Sequence, residues 1–205
     1  AGECLEQLTT LTFLAANSTN VRLLTSVMVL PHRPPVLTAK ILSTIDVLSK
    51  GRMILGCGIG WMQEEFEALG AEPFDQRGVV GDDYLRIFKE LWTNDSPSHD
   101  SEYASFSEIS FNPQPVQKPH PPIWIGGNTL PALRRVARWG DGWQPVFLSP
   151  DAIQNKCETL QLLMEEAGRD ATQLEITTLV GAHVSVAEAQ AYQAAGVQGL
   201  YMLTT

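Results

Sequence analysis

Residues 121–143, with the sequence PPIWIGGNTLPALRRVARWGDGW, constrain the fold of this chain more than any other stretch. Residues 123–125 form a short apolar run that predicts a β-strand, and two glycines end it. An amphipathic helix is predicted next and is closed by Gly140, and residues 144–146 predict the following strand. A strand, a helix and a second strand in this order are typical of a βαβ unit, whose two strands run parallel.

The turn between the first strand and the helix is rich in glycine, since Gly126 and Gly127 precede Asn128 and Thr129. Asn128 or Thr129 can cap the helix, and Pro131 is tolerated in its first turn. Glycines at a helix N-terminus leave backbone N–H groups exposed where the helix dipole is positive, which suits an anion such as a phosphate. An ordinary strand-to-helix turn that needs a positive φ uses the same glycines, so the turn alone does not decide between the two interpretations.

Strands and helices alternate along most of the chain. The predicted strands cover residues 21–30, 52–58, 123–125, 144–146, 174–180 and 199–203. This alternation predicts an α/β protein with a parallel sheet. A closed (β/α)8 barrel has eight strands in typically about 250 residues, so we predict a TIM barrel that lacks its first two strands in this sequence. A doubly wound open sheet is the competing architecture.

Residues 93–122 depart from the alternation. Residues 102–111 have alternating apolar positions that predict a small hairpin, and residues 113–122 hold five prolines, which exclude a helix. We therefore predict a single, incomplete barrel domain over residues 1–205, with an insertion at residues 93–122.

Three aromatic residues of the insertion, Tyr103, Phe106 and Phe111, are too many for a solvated loop. Burying a large apolar side chain contributes about 1.5–3 kcal/mol, so these aromatics are expected to be covered. The insertion is therefore predicted to pack over the carboxyl-terminal mouth of the barrel or against a second subunit.

Composition disfavours several classes of protein. The net charge of −9 argues against a nucleic-acid or anionic-membrane surface, where basic patches would be expected. No apolar run approaches the roughly 20 residues that span a bilayer, and the N-terminus does not resemble a signal peptide. Cys4, Cys57 and Cys157 match neither a zinc spacing nor a disulfide framework. We therefore expect no metal site, reduced thiols and a cytoplasmic location.

Two long segments carry a family resemblance. They are residues 30–70, LPHRPPVLTAKILSTIDVLSKGRMILGCGIGWMQEEFEALG, and residues 112–143, NPQPVQKPHPPIWIGGNTLPALRRVARWGDGW. In this order they resemble the luciferase-like monooxygenase superfamily, and most closely its coenzyme F420-dependent oxidoreductases. Any one of the motifs is weak, but the ordered set is specific, and the resemblance extends over residues 5–145.

The resemblance implies a barrel that binds a flavin or deazaflavin at the carboxyl ends of its strands. One strand of the family carries a bulge behind the cofactor ring, often with a non-prolyl cis peptide, and this bulge maps onto Ser26 and Val27. The loop formed by Gly58, Ile59 and Gly60 would run along the ribityl and phosphate side of the cofactor.

The same resemblance implies that Gly126, Gly127, Asn128 and Thr129 hold the phosphate of the cofactor. This role agrees with the anion interpretation of the glycine turn. The expected cofactor is coenzyme F420, with FMN as the alternative.

The chain departs from the family pattern directly after the glycine loop. In F420-dependent sugar-phosphate dehydrogenases an acid stands there, and here the residue is Trp61. Glu64 and Glu65 follow one turn later, where solvated helix charge is the simpler interpretation. His32 and His120 lie next to prolines and can line a pocket, although a loop histidine without a second partner is more often structural. No catalytic residue is assigned, because the family's other catalytic side chains usually lie on its first two strands.

The expected function is hydride transfer between coenzyme F420 and a small organic substrate. The alternatives are an FMN-dependent monooxygenase that uses reduced flavin and O2, and a barrel that binds a flavin or phosphate ligand without turnover. A lyase or isomerase that uses a lysine is disfavoured, because no lysine lies at the carboxyl end of a predicted strand. We expect a homodimer with neither a nucleic-acid nor a membrane partner.

Overall fold

Parallel strands separated by helices form most of the chain in the computed structural model, which describes residues 4–202. The chain divides into two units, residues 1–122 and residues 123–205. The division falls at the end of the predicted insertion. The assignment of both units to one domain stays a prediction.

The first unit contains three parallel strands, four helices and a small hairpin. Its elements are α1 (Gln7–Asn17), β1 (Leu23–Leu24), β2 (Met28–Val29), α2 (Pro35–Ser49), β3 (Met53–Gly58), α3 (Gln63–Leu69), α4 (Arg77–Thr93), β4 (His99–Asp100) and β5 (Ser105–Phe106). Both β1 and β2 pair in parallel with β3, Leu23 opposite Met53 and Met28 opposite Cys57. The fully buried side chains of β3 and of the inner faces of α2 and α4 form the core of this unit.

The strand predicted at residues 21–30 is interrupted, so the prediction of one continuous strand was wrong. The backbone leaves the ladder after β1, where the Thr25 hydroxyl donates to the carbonyl of Gly56 at 2.7 Å. A Cβ at Gly56 would lie 1.9 Å from the carbonyl oxygen of Thr25, so only glycine allows this approach. The Ser26–Val27 peptide bond is cis, as the family resemblance implied. After β2 the chain forms a 3-10 helix, Leu30–His32.

Helix α4 begins at Arg77. A 3-10 helix, Phe74–Gln76, leads directly into it, and the Arg77 guanidinium donates to the carbonyl of Phe74 at 2.8 Å. Gly78 and Gly81 lie in its first two turns. Packing overrides their low helix propensity, because Gly81 lies where a Cβ would approach Ile59 Cγ2 to 2.9 Å.

The hairpin of the insertion lies a few residues before the predicted range, 102–111. Its strands β4 and β5 are antiparallel, with His99 opposite Phe106. Ser101 sets the turn, because its backbone N–H donates to the carbonyl of Ala104 at 3.0 Å and its hydroxyl accepts from the backbone of Ala104 at 3.2 Å. The apolar alternation beyond residue 106 is not paired as a strand.

Two buried carboxylates hold the insertion against the helices of the first unit. Asp83 of α4 accepts a hydrogen bond from Ser101 Oγ at 2.7 Å, and its carboxylate oxygen lies 3.2 Å from His99 Nε2. Asp46 of α2 accepts from the backbone N–H of Gln117 at 3.1 Å and from its side-chain amide at 2.6 Å. The insertion is therefore fixed along its length by α2 and α4.

The three aromatic residues of the insertion make contacts within the first unit, and one of them is buried there. Phe111 is buried, and the Tyr103 hydroxyl donates to Gln76 Oε1 at 3.2 Å. The Phe106 ring stacks on the His99 ring, with centroids 5.9 Å apart. Tyr103 and Phe106 remain half-buried, and packing of the insertion over a barrel mouth or against a second subunit stays a prediction.

The second unit is a regular succession of strands and helices. Its elements are β6 (Ile123–Gly126), α5 (Leu130–Trp139), β7 (Gly142–Gln144), α6 (Pro150–Glu166), β8 (Glu175–Val180), α7 (Val186–Ala194) and β9 (Gly199–Met202). The strands lie in the order β6-β7-β8-β9, and each pair is parallel. The prediction of parallel strands alternating with helices is confirmed in both units.

Strand β7 begins two residues before the predicted start at residue 144. The reason is Gly142, which pairs with Trp124 of β6 and lies under its indole ring. A Cβ at Gly142 would lie 2.3 Å from Trp124 Cδ1, so glycine lets the two strands approach. Val146, inside the predicted strand, lies beyond β7 and pairs with Leu179 through an isolated bridge. The predicted last residue of β9, Leu203, lies outside the described residues.

Within residues 4–202, no helix is long and apolar enough to cross a membrane. The same residues contain no group of three or more His, Cys, Asp or Glu side chains placed to hold a metal ion.

Candidate functional site

The residues mapped to the cofactor in the first unit lie side by side at the carboxyl ends of two parallel strands. Val29 of β2 is opposite Gly58 of β3, so the loops that follow both strands emerge at the same edge. Val27 lies next to Gly58, where a Cβ would be 3.2 Å from Val27 Cγ2. Ser26 is joined to Val27 by the cis peptide. The structure therefore brings Ser26 and Val27 together with the glycine loop.

The glycine loop is held in a defined position by packing. Gly60 has φ +82°, and a Cβ there would lie 2.7 Å from Phe66 Cε2 and 2.9 Å from Val29 Cγ1. Ile59 packs against Gly81 at the start of α4. A glycine is required at position 60 both for its conformation and for this close approach.

His32 lies beside this loop at the end of the 3-10 helix. Its ring meets Phe66 edge-on, with centroids 4.6 Å apart, and within the described residues its Nε2 is buried without a hydrogen-bond partner. Burial lowers the pKa of His32, the carboxylate of Glu65 partly offsets this, and Arg33 lowers it further. His32 is therefore a neutral imidazole near pH 7.

The neighbouring arginine and the second histidine have structural contacts. The Arg33 guanidinium is paired with Glu6 at 2.8 Å. His120 lies in the insertion, where its Nδ1 is 2.9 Å from the carbonyl of Pro121 and its ring faces Trp92. His120 therefore packs beside α4 rather than in the glycine loop.

In the second unit, the glycine turn joins β6 to α5. Gly127 has φ +116°, and its N–H donates to the carbonyl of Gln144 at 3.3 Å. Asn128 does not cap the helix, because its amide exchanges two hydrogen bonds with the backbone of Val146, at 2.9 and 3.1 Å. Thr129 occupies the N-cap position in an extended conformation, without a side-chain bond to the helix. Asn128 thus fixes the turn to the end of β7.

The donors of the turn fit a phosphate. Among residues 4–202, the backbone N–H groups of Asn128, Thr129 and Leu130 and the hydroxyl of Thr129 have no acceptor. Thr129 and Leu130 are exposed at the positive end of the ten-residue helix α5. The positive φ of Gly127 is enough to explain why a glycine stands there, with or without a ligand. The unpaired N–H groups that follow Gly127 are the donors that bind an anion at a helix N-terminus.

Sequence reasoning missed two buried polar side chains on one face of this sheet. Gln144 pairs with Gly126, and Thr177 pairs with Gly199, which places the two side chains at the same level of the sheet. Both are fully buried, and within the described part of the chain the Thr177 hydroxyl has no hydrogen-bond partner. The available signal was a polar residue within a predicted strand.

The family model described as luciferase-like monooxygenase matches residues 2–203. The chain belongs to the luciferase-like monooxygenase family. This luciferase-like chain is 33% identical over 157 residues to an uncharacterized protein of Mycobacterium tuberculosis, a match that covers 76% of this chain and 55% of the relative. It is 30% identical over 160 residues to the FMNH2-dependent dimethylsulfone monooxygenase of Pseudomonas putida, covering 77% of this chain and 44% of that enzyme. The chain spans about half the length of these curated relatives.

Among solved structures, an F420-dependent secondary alcohol dehydrogenase in complex with an F420-acetone adduct is similar to this luciferase-like chain. The TM-score is 0.86 at 14% identity, and the match covers 98% of this chain and 78% of the dehydrogenase. At that identity the likeness concerns the fold alone. Nearly all of the luciferase-like chain thus shares the α/β fold of the dehydrogenase.

Proposed function

We propose that the chain supplies cofactor-binding elements of an oxidoreductase that transfers a hydride between coenzyme F420 and a small organic substrate. Membership of the luciferase-like family supports an oxidoreductase or monooxygenase. The observation that carries the proposal is the turn before α5, where unpaired donors of Asn128, Thr129 and Leu130 lie at a helix N-terminus. The ordered motifs of residues 30–70 and 112–143 favour F420.

In this proposal the residues of each unit have separate roles. Gly127 turns the chain so that the N–H groups of Asn128 and Thr129 point toward one phosphate, and the Thr129 hydroxyl adds a further donor. Val27 and the loop at Gly58 and Ile59 support the ring and the ribityl chain. A reduced deazaflavin supplies the hydride when bound, and the protein orients the substrate and excludes water.

A second candidate function is an FMN-dependent monooxygenase. The observation that favours it is the 30% identity to an enzyme named for its dependence on FMNH2. FMN also carries a phosphate, so the same turn serves either cofactor. A third candidate is a barrel that binds a flavin or phosphate ligand without turnover, and experiment must distinguish it from the two enzymes.

Equilibrium binding of F420 and of FMN to the full-length protein tests the proposal, followed by absorbance spectra under reducing conditions. We expect F420 to bind at least about tenfold more tightly, a difference of about 1.4 kcal/mol. Reduced F420 should then be reoxidised by a small ketone without consumption of O2. Tighter binding of FMN with O2 uptake would establish the monooxygenase, and binding without turnover would establish the third possibility. If the protein binds neither cofactor, the proposal is wrong.

A further inference from the structure

Helix α2 carries apolar side chains on two opposite faces. One face is buried in the core of the first unit. The other face, here called the outer stripe, consists of four residues at helical spacing: Leu37, Ile41, Thr44 and Leu48. Leu37 and Leu48 are 58% and 56% exposed. A helix that is apolar all round is normally buried, but residues 4–202 leave the outer stripe of α2 uncovered.

The neighbouring helix α1 packs against α2 and has a similar outer face. Its 11 residues include no charged side chain, and Phe13 is 66% exposed on the side away from the buried Leu11. The hydroxyls of Thr10 and Thr12 donate to carbonyls one turn earlier at 2.8 Å, as the Thr44 hydroxyl of α2 does. These hydroxyls would therefore stay paired if a partner excluded water from both helices.

The negative charge of the chain lies mostly outside the segment that contains α1 and α2. Residues 1–62 contain five Lys and Arg and three Asp and Glu, a net charge of +2, whereas the remaining residues contain nine and 20, a net charge of −11. Of the three acids, Asp46 is buried and Glu6 is paired with Arg33 at 2.8 Å. A second copy of this acidic chain is therefore repelled least at the surface of α1 and α2.

The spacing of the outer stripe also fits a second copy of the chain. Its residues are separated by four, three and four positions, so the stripe has the same spacing from either end. A two-fold axis that sets two copies of α2 antiparallel would place Leu37 against the partner's Leu48 and Ile41 against the partner's Thr44. In a closed dimer each contact occurs twice in this reciprocal way, and the outer stripe meets that requirement.

We infer that the outer stripe of α2, flanked by α1, is the surface through which two copies of this chain form a two-fold dimer. A homodimer is also expected from the family resemblance. The outer stripe supports it on independent grounds and gives it a location. The inference does not depend on the proposed function, because neither α1 nor α2 contains a residue assigned to the cofactor.

Sedimentation equilibrium of the full-length protein and of two double variants tests the inference. Leu37→Glu with Leu48→Glu sets like charges against each other at both contacts, and it should raise the dissociation constant of the dimer at least about a hundredfold. Leu37→Glu with Leu48→Lys changes the same two positions but sets opposite charges against each other. Its dimer should be at least about tenfold tighter than that of the Glu–Glu variant.

Leu162→Glu is the matched control. Leu162 is 63% exposed on α6, where most of the other exposed residues are polar or charged. The same substitution there should leave the dissociation constant within about twofold of the wild-type value. Circular dichroism and thermal unfolding of each variant check that these exposed substitutions leave the fold intact.

Three results would overturn the inference. The first is a full-length protein with the mass of one chain at every concentration, which would leave the outer stripe to another segment of the same chain. The second is an unchanged dissociation constant in the Glu–Glu variant, which would move the dimer contact to another surface. The third is equal weakening in both double variants, which would exclude the antiparallel two-fold contact.

Discussion

At the scale of single residues, glycine is required at the two ends of α5 for different physical reasons. Gly127 has φ +116°, and a Cβ there would lie 3.1 Å from the Cβ of Ala132. Gly140 has φ −81°, so its backbone suits any residue, but a Cβ would lie 3.1 Å from Ile125 Cγ1. Gly127 is thus required by conformation at the turn, and Gly140 by packing in the core.

Gly127→Val should weaken cofactor binding by roughly two to four orders of magnitude, because it displaces the donors of Asn128 and Thr129. The fold should survive, since the turn lies at the surface. Gly140→Val should instead lower stability by about 1–3 kcal/mol through overpacking, without a specific effect on affinity. Titration with cofactor and thermal unfolding of both variants check this. Unchanged affinity in a folded Gly127→Val protein would make an ordinary turn the better interpretation.

Glu6 gives a second prediction at this scale. It caps α1, accepting from the N–H of Thr9 at 2.7 Å and of Leu8 at 3.1 Å. Partial burial raises its pKa, but the hydrogen bonds from Thr9 and Leu8 and the charge of Arg33 outweigh this and lower the pKa to about 2. Because the folded pKa is depressed, the stabilisation is complete above the unfolded value of 4.5 and is lost as the pH falls toward about 2.

Glu6→Gln should therefore lower the free energy of unfolding at pH 7 and remove this part of its pH dependence. The side chain is 43% exposed, so solvent screening limits the effect to less than about 1 kcal/mol. Urea unfolding of both proteins between pH 7 and pH 2 measures the difference. Parallel pH profiles for the two proteins would contradict the prediction.

At the scale of secondary-structure elements, the end of α2 is strained. Lys50 is its C-cap, with φ +59° and ψ +46°, the left-handed conformation that glycine adopts without a Cβ penalty. Lys50→Gly should raise the free energy of unfolding by about 0.5–1 kcal/mol. Gln154→Gly, at an exposed position inside α6, should lower it by about 1 kcal/mol. Chemical denaturation compares the two, and destabilisation by Lys50→Gly would refute the strain argument.

The two carboxylates that hold the insertion should act on different parts of it. Asp46→Ala removes the carboxylate acceptor of the half-buried Gln117 backbone N–H and side-chain amide, and only the amide keeps a second acceptor, the carbonyl of Met53; the change should cost about 1–3 kcal/mol. Asp83→Ala should instead release the hairpin at residues 99–106. Hydrogen exchange resolves the two effects: Asp83→Ala should speed exchange around the hairpin and leave residue 117 protected, and Asp46→Ala should do the reverse. The same pattern in both variants would mean that the insertion opens as one unit.

At the scale of the whole molecule, we propose a homodimer on the strength of the family resemblance. Sedimentation equilibrium of the full-length protein should give twice the chain mass over the micromolar range. Cofactor should leave this mass unchanged, since the proposed cofactor residues lie within one chain. A mass equal to that of one chain at every concentration would show that the homodimer prediction is wrong.

The sequence by itself determined the order and type of the main elements. Apolar runs ending in glycine predicted β3 and β6, and an amphipathic pattern closed by Gly140 predicted α5, because these signals depend on neighbours within one or two turns. It also indicated the turn at Gly126–Gly127, since glycines between a strand and a helix are a local pattern. The residues proposed to bind the phosphate could therefore be predicted from the sequence, because they belong to this local pattern.

Only the tertiary structure decided how distant groups pair. Thr25 breaks its strand because it closes onto Gly56, and Asp46 holds Gln117, 71 residues away. Asn128 or Thr129 was predicted to cap the helix, but the Asn128 amide bonds the backbone of Val146, and Thr129 stands at the N-cap position without a side-chain bond to the helix. Backbone donors at the start of α5 are therefore left unpaired within the described residues. Such pairings depend on which buried donor and acceptor the folded chain brings within about 3 Å, and a local pattern carries no information about that distance.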